Sequence, residues 1–268
     1  MEPSVDAWVA AAGMQLAALD DEDAQHIRNR TRVFDVALSQ GHRCPHVNRY
    51  VNVLPCADPG TVACVASQAP TPPTFPAFFH HLVAQKVSVL VNLTPLQEGC
   101  LCKSDQYWPT NADEPLCLPD GSWSVTETGV KFAVPTMPDL AVRGLRLASP
   151  SIAAPHDLVQ IHYTGWRDHG PLDPSRVLAL LRMIDDAHAG GPLWVHCSAG
   201  IGRSGTLIGA FLVRQSSWRA AAPQPPMELA AAAVKHMRRF RPGMVQTVGQ
   251  LITLAATIKM LPSSHRGA

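Results

Sequence analysis

The sequence predicts an α/β fold, and three observations support that prediction. A short apolar run at 193–196 is followed by a glycine-rich turn and then by helical periodicity over 203–218. A β-branched apolar run at 87–93 is typical of a buried strand. The segment 121–149 alternates between apolar and polar residues, with breaks at Pro and Gly, which indicates a few antiparallel strands. Strand, glycine turn and helix in this order are characteristic of α/β domains.

The N-terminal half is predicted to begin with helices. Residues 5–19 are rich in Ala and have helical periodicity, and the acidic run at 20–23 is expected to start a second helix that reaches about residue 36. The stretch 56–74, rich in Pro, Gly and Ala, predicts turns around one short strand. Residues 76–86 are then predicted to be helical.

The C-terminal half has clearer helix signals. Asp173 followed by Pro174 is typical of a helix start, and Gly190 is expected to stop that helix. Its predicted apolar face consists of Val177, Leu180, Leu181 and Ile184. Two more helices are predicted at 227–240 and 247–261.

Length and composition indicate a folded protein of ordinary size. The chain has 268 residues, of which 46% are hydrophobic and 16% are charged, and this excludes a disordered chain. Because the sequence has no internal repeat and no strong linker, we expect one domain, residues 28–268. A helical N-terminal extension, residues 1–27, is expected to precede it.

The charge balance is close to neutral. Lys and Arg number 22 and Asp and Glu number 21, so the formal net charge is +1. This balance excludes a broad electrostatic face for nucleic acid, and we expect no nucleic-acid partner. Any anion that the protein handles is therefore expected to be held locally, by a few well-placed groups.

The sequence also bears on the cellular compartment and on cofactors. No stretch approaches the ~18 uninterrupted apolar residues of a membrane span, and the N-terminus lacks the pattern of a secretion signal. The seven cysteines are irregularly spaced, which favours a reducing compartment, so we expect a cytoplasmic protein. Cys100 and Cys102 form a close pair without a second pair at zinc spacing, so we expect no metal and no cofactor.

The candidate chemistry lies in the segment 195–206, between a predicted strand and a predicted helix. Small residues at a helix start turn backbone N–H groups into one concavity, which favours an anion. The residues of this concavity are Ser198, Ala199, Gly200, Ile201 and Gly202. Cys197 stands at its base, where the thiolate is favoured, and Arg203 can bind two phosphate oxygens. Together they predict phosphoryl transfer through a cysteinyl phosphate.

This segment resembles the signature loop of the protein tyrosine phosphatases, and of their tyrosine-specific branch in particular. The resemblance implies a single phosphatase-type domain with a twisted, mixed central sheet flanked by helices on both sides. It also implies that Cys197 is the nucleophile and that Arg203 binds phosphate. Ser204 would help the thiolate to leave when the intermediate breaks down, and His196 would tune the pKa of the neighbouring cysteine.

A second segment, 163–170, resembles the mobile Trp-Pro-Asp loop of the same family. The resemblance implies that Asp168 is the general acid for the leaving phenolate and later the base for water. Arg167 stands where the family has proline. Because proline restricts φ, we hypothesise that Arg167 slows turnover by shifting this loop toward open states.

Three further segments match the family in order. The segment 240–250 resembles the loop that positions hydrolytic water, which implies this role for Gln246 with support from Gln250. The segment 48–53 resembles the phosphotyrosine-recognition loop, with Tyr50 as the wall of the pocket and Asn52 where an Asp is often found. After residue 53 the family usually has a longer strand–turn segment, and this chain is shortened there.

The last of these segments, 98–109, resembles the loop whose Glu pairs with the phosphate-binding Arg. The resemblance implies that Glu98 orients Arg203 and that Lys103 contacts the Asp168 loop.

The leading hypothesis is a hydrolase that removes phosphate from phosphotyrosine in proteins or peptides. One alternative keeps the same loop but accepts a broader range of substrates, as dual-specificity or phosphoinositide phosphatases do. The uncharged residues 198–202 disfavour phosphoinositides. Another alternative is a weakly active phosphotyrosine-binding pseudophosphatase. The reason to consider it is Arg167, which stands where the family has proline. The sequence carries no signal for an oligomeric state.

Overall fold

The computed structural model of the chain describes residues 4–29, 64–129, 137–214 and 225–262. Its helices are α1 (Val5–Asn29), α2 (Phe75–Ala84), α3 (Pro174–Ala187), α4 (Gly202–Arg214), α5 (Pro226–Arg238) and α6 (Val248–Met260), with a 3₁₀ turn at Pro72–Thr74. Its strands are β1 (Cys64–Ser67), β2 (Val89–Asn92), β3 (Gln97–Glu98), β4 (Leu101–Cys102), β5 (Leu116–Cys117), β6 (Ser124–Glu127), β7 (Leu140–Ala148), β8 (His156–Tyr163) and β9 (Leu193–His196).

Seven of the strands form one mixed sheet in the order β1-β9-β2-β8-β7-β6-β5, and β3 and β4 form a small hairpin. Strands β1, β9, β2 and β8 are parallel, whereas β7, β6 and β5 add antiparallel neighbours. The carboxyl ends of parallel strands meet at one edge of a sheet, which is where α/β proteins build their sites. The segments after β9, β2 and β8 therefore converge at this edge.

Apolar side chains cover both faces of the sheet. On one face, Val89 and Val91 pack in a large core with apolar residues of α1, α3, α4, α5 and α6. On the other face, Leu90 packs with the aromatic residues Phe78 and Phe79 of α2. Helices on both faces of a mixed sheet confirm the predicted fold class, since alternate side chains of a strand point to opposite faces.

Most helix predictions agree with the structure within a few residues. The predicted start of α3 is correct, because the side chain of Asp173 accepts a hydrogen bond from the backbone N–H of Ser175 at 2.8 Å. The predicted run at 203–218 is described as α4 up to Arg214. None of the described helices is both long and apolar enough to cross a membrane.

One prediction of secondary structure was wrong, and one central strand was not predicted. The N-terminal region does not contain two helices divided near residue 20, because α1 continues without a break to Asn29. Strand β8 was not predicted, although it lies in the centre of the sheet. The predicted division between an extension and a domain stays a prediction. We note that Leu16 and Leu19 of α1 are buried in the main core.

Candidate active site

The predicted signature loop leaves β9 and enters α4 at the carboxyl edge of the sheet. Gly200 adopts a φ of +71°, and a Cβ there would lie 1.8 Å from the carbonyl oxygen of Ser67 at the end of β1. Any larger residue would therefore clash with the backbone of β1, quite apart from its unfavourable φ. The loop takes its shape from this close packing against the neighbouring strand.

The carbonyl groups of the loop are bound by donors from α4 and from other parts of the chain. The carbonyl oxygen of Ser198 accepts from the backbone N–H of Ala69, and the carbonyl oxygens of Ala199 and Gly200 accept from the Arg241 guanidinium. The carbonyl oxygen of Ile201 accepts from the N–H groups of Gly205 and Val245. In a trans peptide the N–H points opposite to the C=O. The loop can therefore turn its N–H groups toward a bound anion.

Cys197 lies at the floor of the loop and is buried, with 3% of its surface exposed. The backbone N–H of Gly200 donates to its Sγ at 3.2 Å. Burial raises the pKa of Cys197, but the charge of Arg203 and hydrogen bonds from Ser204 and Gly200 outweigh burial, so the pKa is below its usual value. A thiol in this position is prepared to act as a thiolate nucleophile.

His196 supports the cysteine through a buried chain of hydrogen bonds. Its Nδ1 lies 3.0 Å from the carbonyl oxygen of Cys197, so Nδ1 carries the proton and donates. Its Nε2 then accepts from the Tyr107 hydroxyl at 2.7 Å, and that hydroxyl accepts from the Gln160 side chain at 3.1 Å. Sequence reasoning missed Tyr107 and Gln160, since nothing in their local sequence indicates a partner so distant in the chain.

Arg203 is almost fully buried, with 1% of its surface exposed. Its Nη1 donates to the carbonyl oxygen of Trp166 at 3.0 Å, and its Nη2 lies 3.0 Å from Oδ1 of Asp168. Its Nε is buried and has no hydrogen-bond partner among the described residues. A buried guanidinium donor without an acceptor is costly, and an oxyanion bound in the loop would satisfy it.

Asp168 faces Arg203 and is also held by the hairpin that follows β2. The Lys103 ammonium donates to Oδ2 of Asp168 at 2.6 Å, so the predicted contact of Lys103 is present. Partial burial raises the pKa of Asp168, but the hydrogen bond from Lys103 and the charges of Arg203, Lys103 and His169 together lower it below the usual value. The carboxylate is therefore the favoured form in this arrangement.

Glu98 does not pair with Arg203 as the sequence led us to expect. Its Oε1 instead accepts from the backbone N–H of Asp168 at 3.0 Å, and its buried Oε2 has no partner among the described residues. The closed position of the Asp168 loop explains the difference, because this loop brings its own carboxylate against the Arg203 guanidinium. Glu98 thus contacts the Asp168 loop rather than the Arg203 guanidinium.

The Asp168 loop, residues 163–170, is held by two hydrogen bonds. The Trp166 indole N–H donates to the carbonyl oxygen of Gly170 at 3.0 Å, and Trp166 is fully buried. The Thr247 hydroxyl donates to the carbonyl oxygen of His169 at 3.1 Å, which joins this loop to the start of α6. The side chain of Arg167 is exposed beside these anchors.

Gln246 and Gln250 lie against the signature loop. The backbone N–H of Gln246 donates to Oε1 of Gln250 at 2.9 Å. A Cβ on Gly202 would lie 2.5 Å from Oε1 of Gln246 and 2.9 Å from Nε2 of Gln250. The absence of a side chain at Gly202 therefore lets both amides approach the concavity closely.

Comparison with known proteins identifies the family of this chain. The family model described as protein-tyrosine phosphatase matches residues 26–259. The chain belongs to the protein-tyrosine phosphatase family. It is 35% identical over 195 residues to the human receptor-type tyrosine-protein phosphatase H and 34% identical over 204 residues to tyrosine-protein phosphatase 3 of Dictyostelium discoideum. These alignments cover 71% and 72% of this chain but only 16% and 20% of the two relatives.

Solved structures of tyrosine phosphatases share the same fold. The Trypanosoma brucei protein tyrosine phosphatase TbPTP1 superposes with a TM-score of 0.81 at 28% identity, covering 96% of this chain and 93% of that chain. The Trypanosoma cruzi enzyme TcPTP1 gives a TM-score of 0.80 at 28% identity, with 96% and 94% covered. The described residues of the chain therefore have the tyrosine phosphatase fold.

Two predicted site residues of this phosphatase domain, Tyr50 and Asn52, lie outside the described residues. Two others that sequence reasoning missed, Arg238 and Arg241, are buried and support the site through the backbone. Arg241 donates to the carbonyl oxygens of Ala199 and Gly200. The cluster of basic residues at 238–241 was visible in the sequence, but it did not reveal that the two arginines are buried.

Proposed function

We propose that this chain hydrolyses phosphotyrosine in proteins or peptides through a cysteinyl-phosphate intermediate. The observation that carries the proposal is the arrangement of Cys197 at the floor of an anion-binding loop, with Arg203 and Asp168 on the side that faces the substrate. A signalling role and a cytoplasmic location stay predictions from the sequence.

In the first step, the Cys197 thiolate attacks phosphorus while the bond from phosphorus to the phenolic oxygen breaks. Arg203 and the loop N–H groups hold the equatorial oxygens, on which negative charge is concentrated. Asp168 transfers a proton to the departing phenolate, which leaves as tyrosine. The products of this step are a cysteinyl phosphate and an ionised Asp168.

The acid role of Asp168 requires a change in its charge environment when substrate binds. Lys103 and Arg203 hold the pKa of Asp168 below its usual value in this arrangement. A phosphate dianion bound to Arg203 offsets that positive charge and adds negative charge nearby, and both effects raise the pKa of the carboxyl. The substrate thereby favours the protonated acid that its own cleavage needs.

In the second step, water attacks phosphorus and the phosphorus–sulfur bond breaks. Gln246 and Gln250 lie beside the loop at Gly202, where their amides can orient this water. Asp168, ionised after the first step, accepts the proton of the water. Ser204 stabilises the departing thiolate, since its hydrogen bonds already lower the pKa of Cys197.

The proposal is tested with phosphate-release assays on the purified chain. One set of substrates is phosphotyrosine peptides, and the other is phosphoserine peptides and phosphoinositides. Turnover confined to phosphotyrosine is expected, together with loss of turnover in Cys197→Ser and slow turnover with retained binding in Asp168→Ala. Full activity of Cys197→Ser would overturn the mechanism, equal turnover of the second set would favour broader specificity, and binding without turnover would indicate a pseudophosphatase.

A further inference from the structure

The acidic residues at the C-terminal part of α1 have no role in the chemistry described so far. Helix α1 packs against α5 and α6, and its residues Ala12, Leu16 and Leu19 are buried in the main core. This packing brings Asp20 and Asp23 next to the segment that precedes Gln246.

Both carboxylates contact one buried arginine. Nη1 of Arg238 lies 2.7 Å from Oδ1 of Asp20 and 3.2 Å from Oδ2 of Asp23, and only 4% of the Arg238 side chain is exposed. The Asp23 side chain is itself largely buried, with 17% exposed, whereas Asp20 is 63% exposed. Because burial reduces screening by solvent, we expect Asp23 to interact more strongly with Arg238 than Asp20 does.

Arg238 and Asp23 together hold the backbone of residues 243–245. Nε and Nη2 of Arg238 donate to the carbonyl oxygens of Met244 and Val245, each at 2.9 Å. Oδ2 of Asp23 accepts from the backbone N–H of Gly243 at 3.1 Å. The guanidinium therefore connects the carboxylates of α1 to two consecutive peptide groups.

The held segment has an unfavourable backbone conformation. Val245 has a φ of +61°, which a β-branched residue rarely adopts. Its N–H donates to the carbonyl oxygen of Ile201 in the signature loop, and its carbonyl is bound by Arg238. Gln246 follows directly, so the direction in which its side chain leaves the backbone depends on these contacts.

We propose that Asp20 and Asp23 are positioning residues for the hydrolysis of the cysteinyl phosphate. They act through Arg238, which fixes the backbone at residues 244–245 and thereby places Gln246 against the signature loop. Formation of the intermediate depends on Cys197, Arg203 and Asp168, which the α1 carboxylates do not contact. This inference rests on the proposed function, and it assigns part of the second step to a helix outside the site.

The test uses the full chain and separates the two chemical steps. The variants are Asp23→Asn and the double variant Asp20→Asn with Asp23→Asn, and the substrate is a ³²P-labelled phosphotyrosine peptide. Stopped-flow mixing gives the rate at which the dephosphorylated peptide forms in the first turnover. Rapid quenching in denaturant gives the fraction of enzyme trapped as phosphoenzyme. We expect first-turnover release within about twofold of the unmodified chain and a several-fold larger trapped fraction at steady state.

Glu22→Gln is the matched control. It removes one carboxylate from the same turn of α1 and breaks an ion pair with Lys235, whose side chain is 60% exposed, without touching Arg238. We expect this variant to behave as the unmodified chain does. Asp23→Glu keeps the charge and is expected to recover part of the lost hydrolysis rate.

Three results would overturn the inference: an unchanged trapped fraction in the double variant, an equal slowing of both steps, or the same effect in Glu22→Gln. If α1 had only a structural role, the variants would contain less active enzyme, and the apparent rates of both steps would fall together. Failure of the proposed function would be seen separately, because the unmodified chain would then form no phosphoenzyme.

Discussion

Lys103 and Asp168 are joined by a hydrogen-bonded ion pair of 2.6 Å between Nζ and Oδ2. The two residues lie far apart in sequence, one after the hairpin that follows β2 and one after β8. Lys103 is nearly buried, so its ammonium is poorly screened by solvent. The pair therefore joins the Asp168 loop to the segment after β4 and favours the ionised form of the Asp168 carboxyl.

Removing the Lys103 cation is predicted to change the pH dependence of turnover. In Lys103→Met, the pKa of Asp168 rises, so Asp168 stays protonated to higher pH. We expect the basic limb of the kcat profile to move to higher pH. We expect kcat at the optimum to fall about tenfold, because the loop is less well held. A profile of kcat against pH with a phosphotyrosine peptide measures both changes.

Lys235→Met is the control for that experiment, since it removes a lysine whose ion pair with Glu22 is exposed. In Lys235→Met, we expect the basic limb of the kcat profile to lie at the same pH as in the unmodified chain. A downward movement of the limb in Lys103→Met would contradict the assignment of Asp168 as the acid.

The Ser204 hydroxyl is predicted to set the reactivity of the nucleophile. The hydroxyl lies close enough to the Cys197 sulfur to lower the pKa of the thiol. Ser204→Ala should therefore raise the pKa of the Cys197 thiol. The pH dependence of inactivation by iodoacetate measures this pKa directly.

The comparison variant for Ser204→Ala is Ser122→Ala, which changes a partly exposed serine in the β5–β6 turn. Its inactivation profile should coincide with that of the unmodified chain. An unchanged midpoint in Ser204→Ala would remove Ser204 from the group of residues that stabilise the thiolate.

Arg167→Pro is predicted to increase kcat several-fold. Proline restricts φ and so lowers the entropy that the acid loop loses when it closes. Arg167→Ala separates this effect from the loss of a positive charge beside Asp168, because it removes the charge without the restriction. We expect the increase only in the proline variant, as measured by steady-state kinetics. An unchanged kcat in Arg167→Pro would lead us to abandon the hypothesis.

His162 is predicted to make the fold sensitive to acid. Its buried imidazole lies 2.9 Å from the carbonyl oxygen of Thr94 through Nε2, and burial lowers its pKa from 6.5 to about 4. Between those values the unfolded chain binds a proton that the folded chain does not, so the free energy of unfolding falls as the pH falls. The loss is at most about 3 kcal/mol by pH 4.

Urea unfolding at pH 7, 6 and 5 measures this dependence. His162→Gln keeps a side-chain donor near Thr94 but does not titrate in this range. The decrease in unfolding free energy from pH 7 to 5 should therefore be smaller in the variant. Equal decreases in the two proteins would show that other groups cause the acid sensitivity.

The residues to which we assign the chemistry could be selected from the sequence because each stands in a short segment that resembles a loop of the family. Cys197 and Arg203 share one loop, and Asp168 follows Trp166 in another. The topology then brings these loops together, because β8, β2 and β9 are parallel and end at the same edge of the sheet. The structure brings these predicted residues together at that edge, and their chemical roles stay predictions.

Other features could not be predicted because distant contacts determine them. Strand β8 contains Gln160 and His162, two buried polar residues that obscure its apolar pattern. Their partners are Tyr107 and Thr94, which lie 53 and 68 positions away. In the same way α1 passes through its acidic run without a break. Asp20 pairs there with Arg238, which lies 218 positions away. The local sequence therefore does not predict that contact.

The close packing of Gly200 against Ser67 has a consequence for how the protein acquires activity. The indole of Trp194 also donates to the Ser67 hydroxyl, so β1 and β9 are joined across 127 positions of chain. Pairings between such distant segments form slowly, since a long loop must close before they are stabilised. We therefore expect the loop around Cys197 to reach its native shape only after β1 and β9 have paired. Any activity that returns on refolding would then report on this long-range pairing rather than on early collapse.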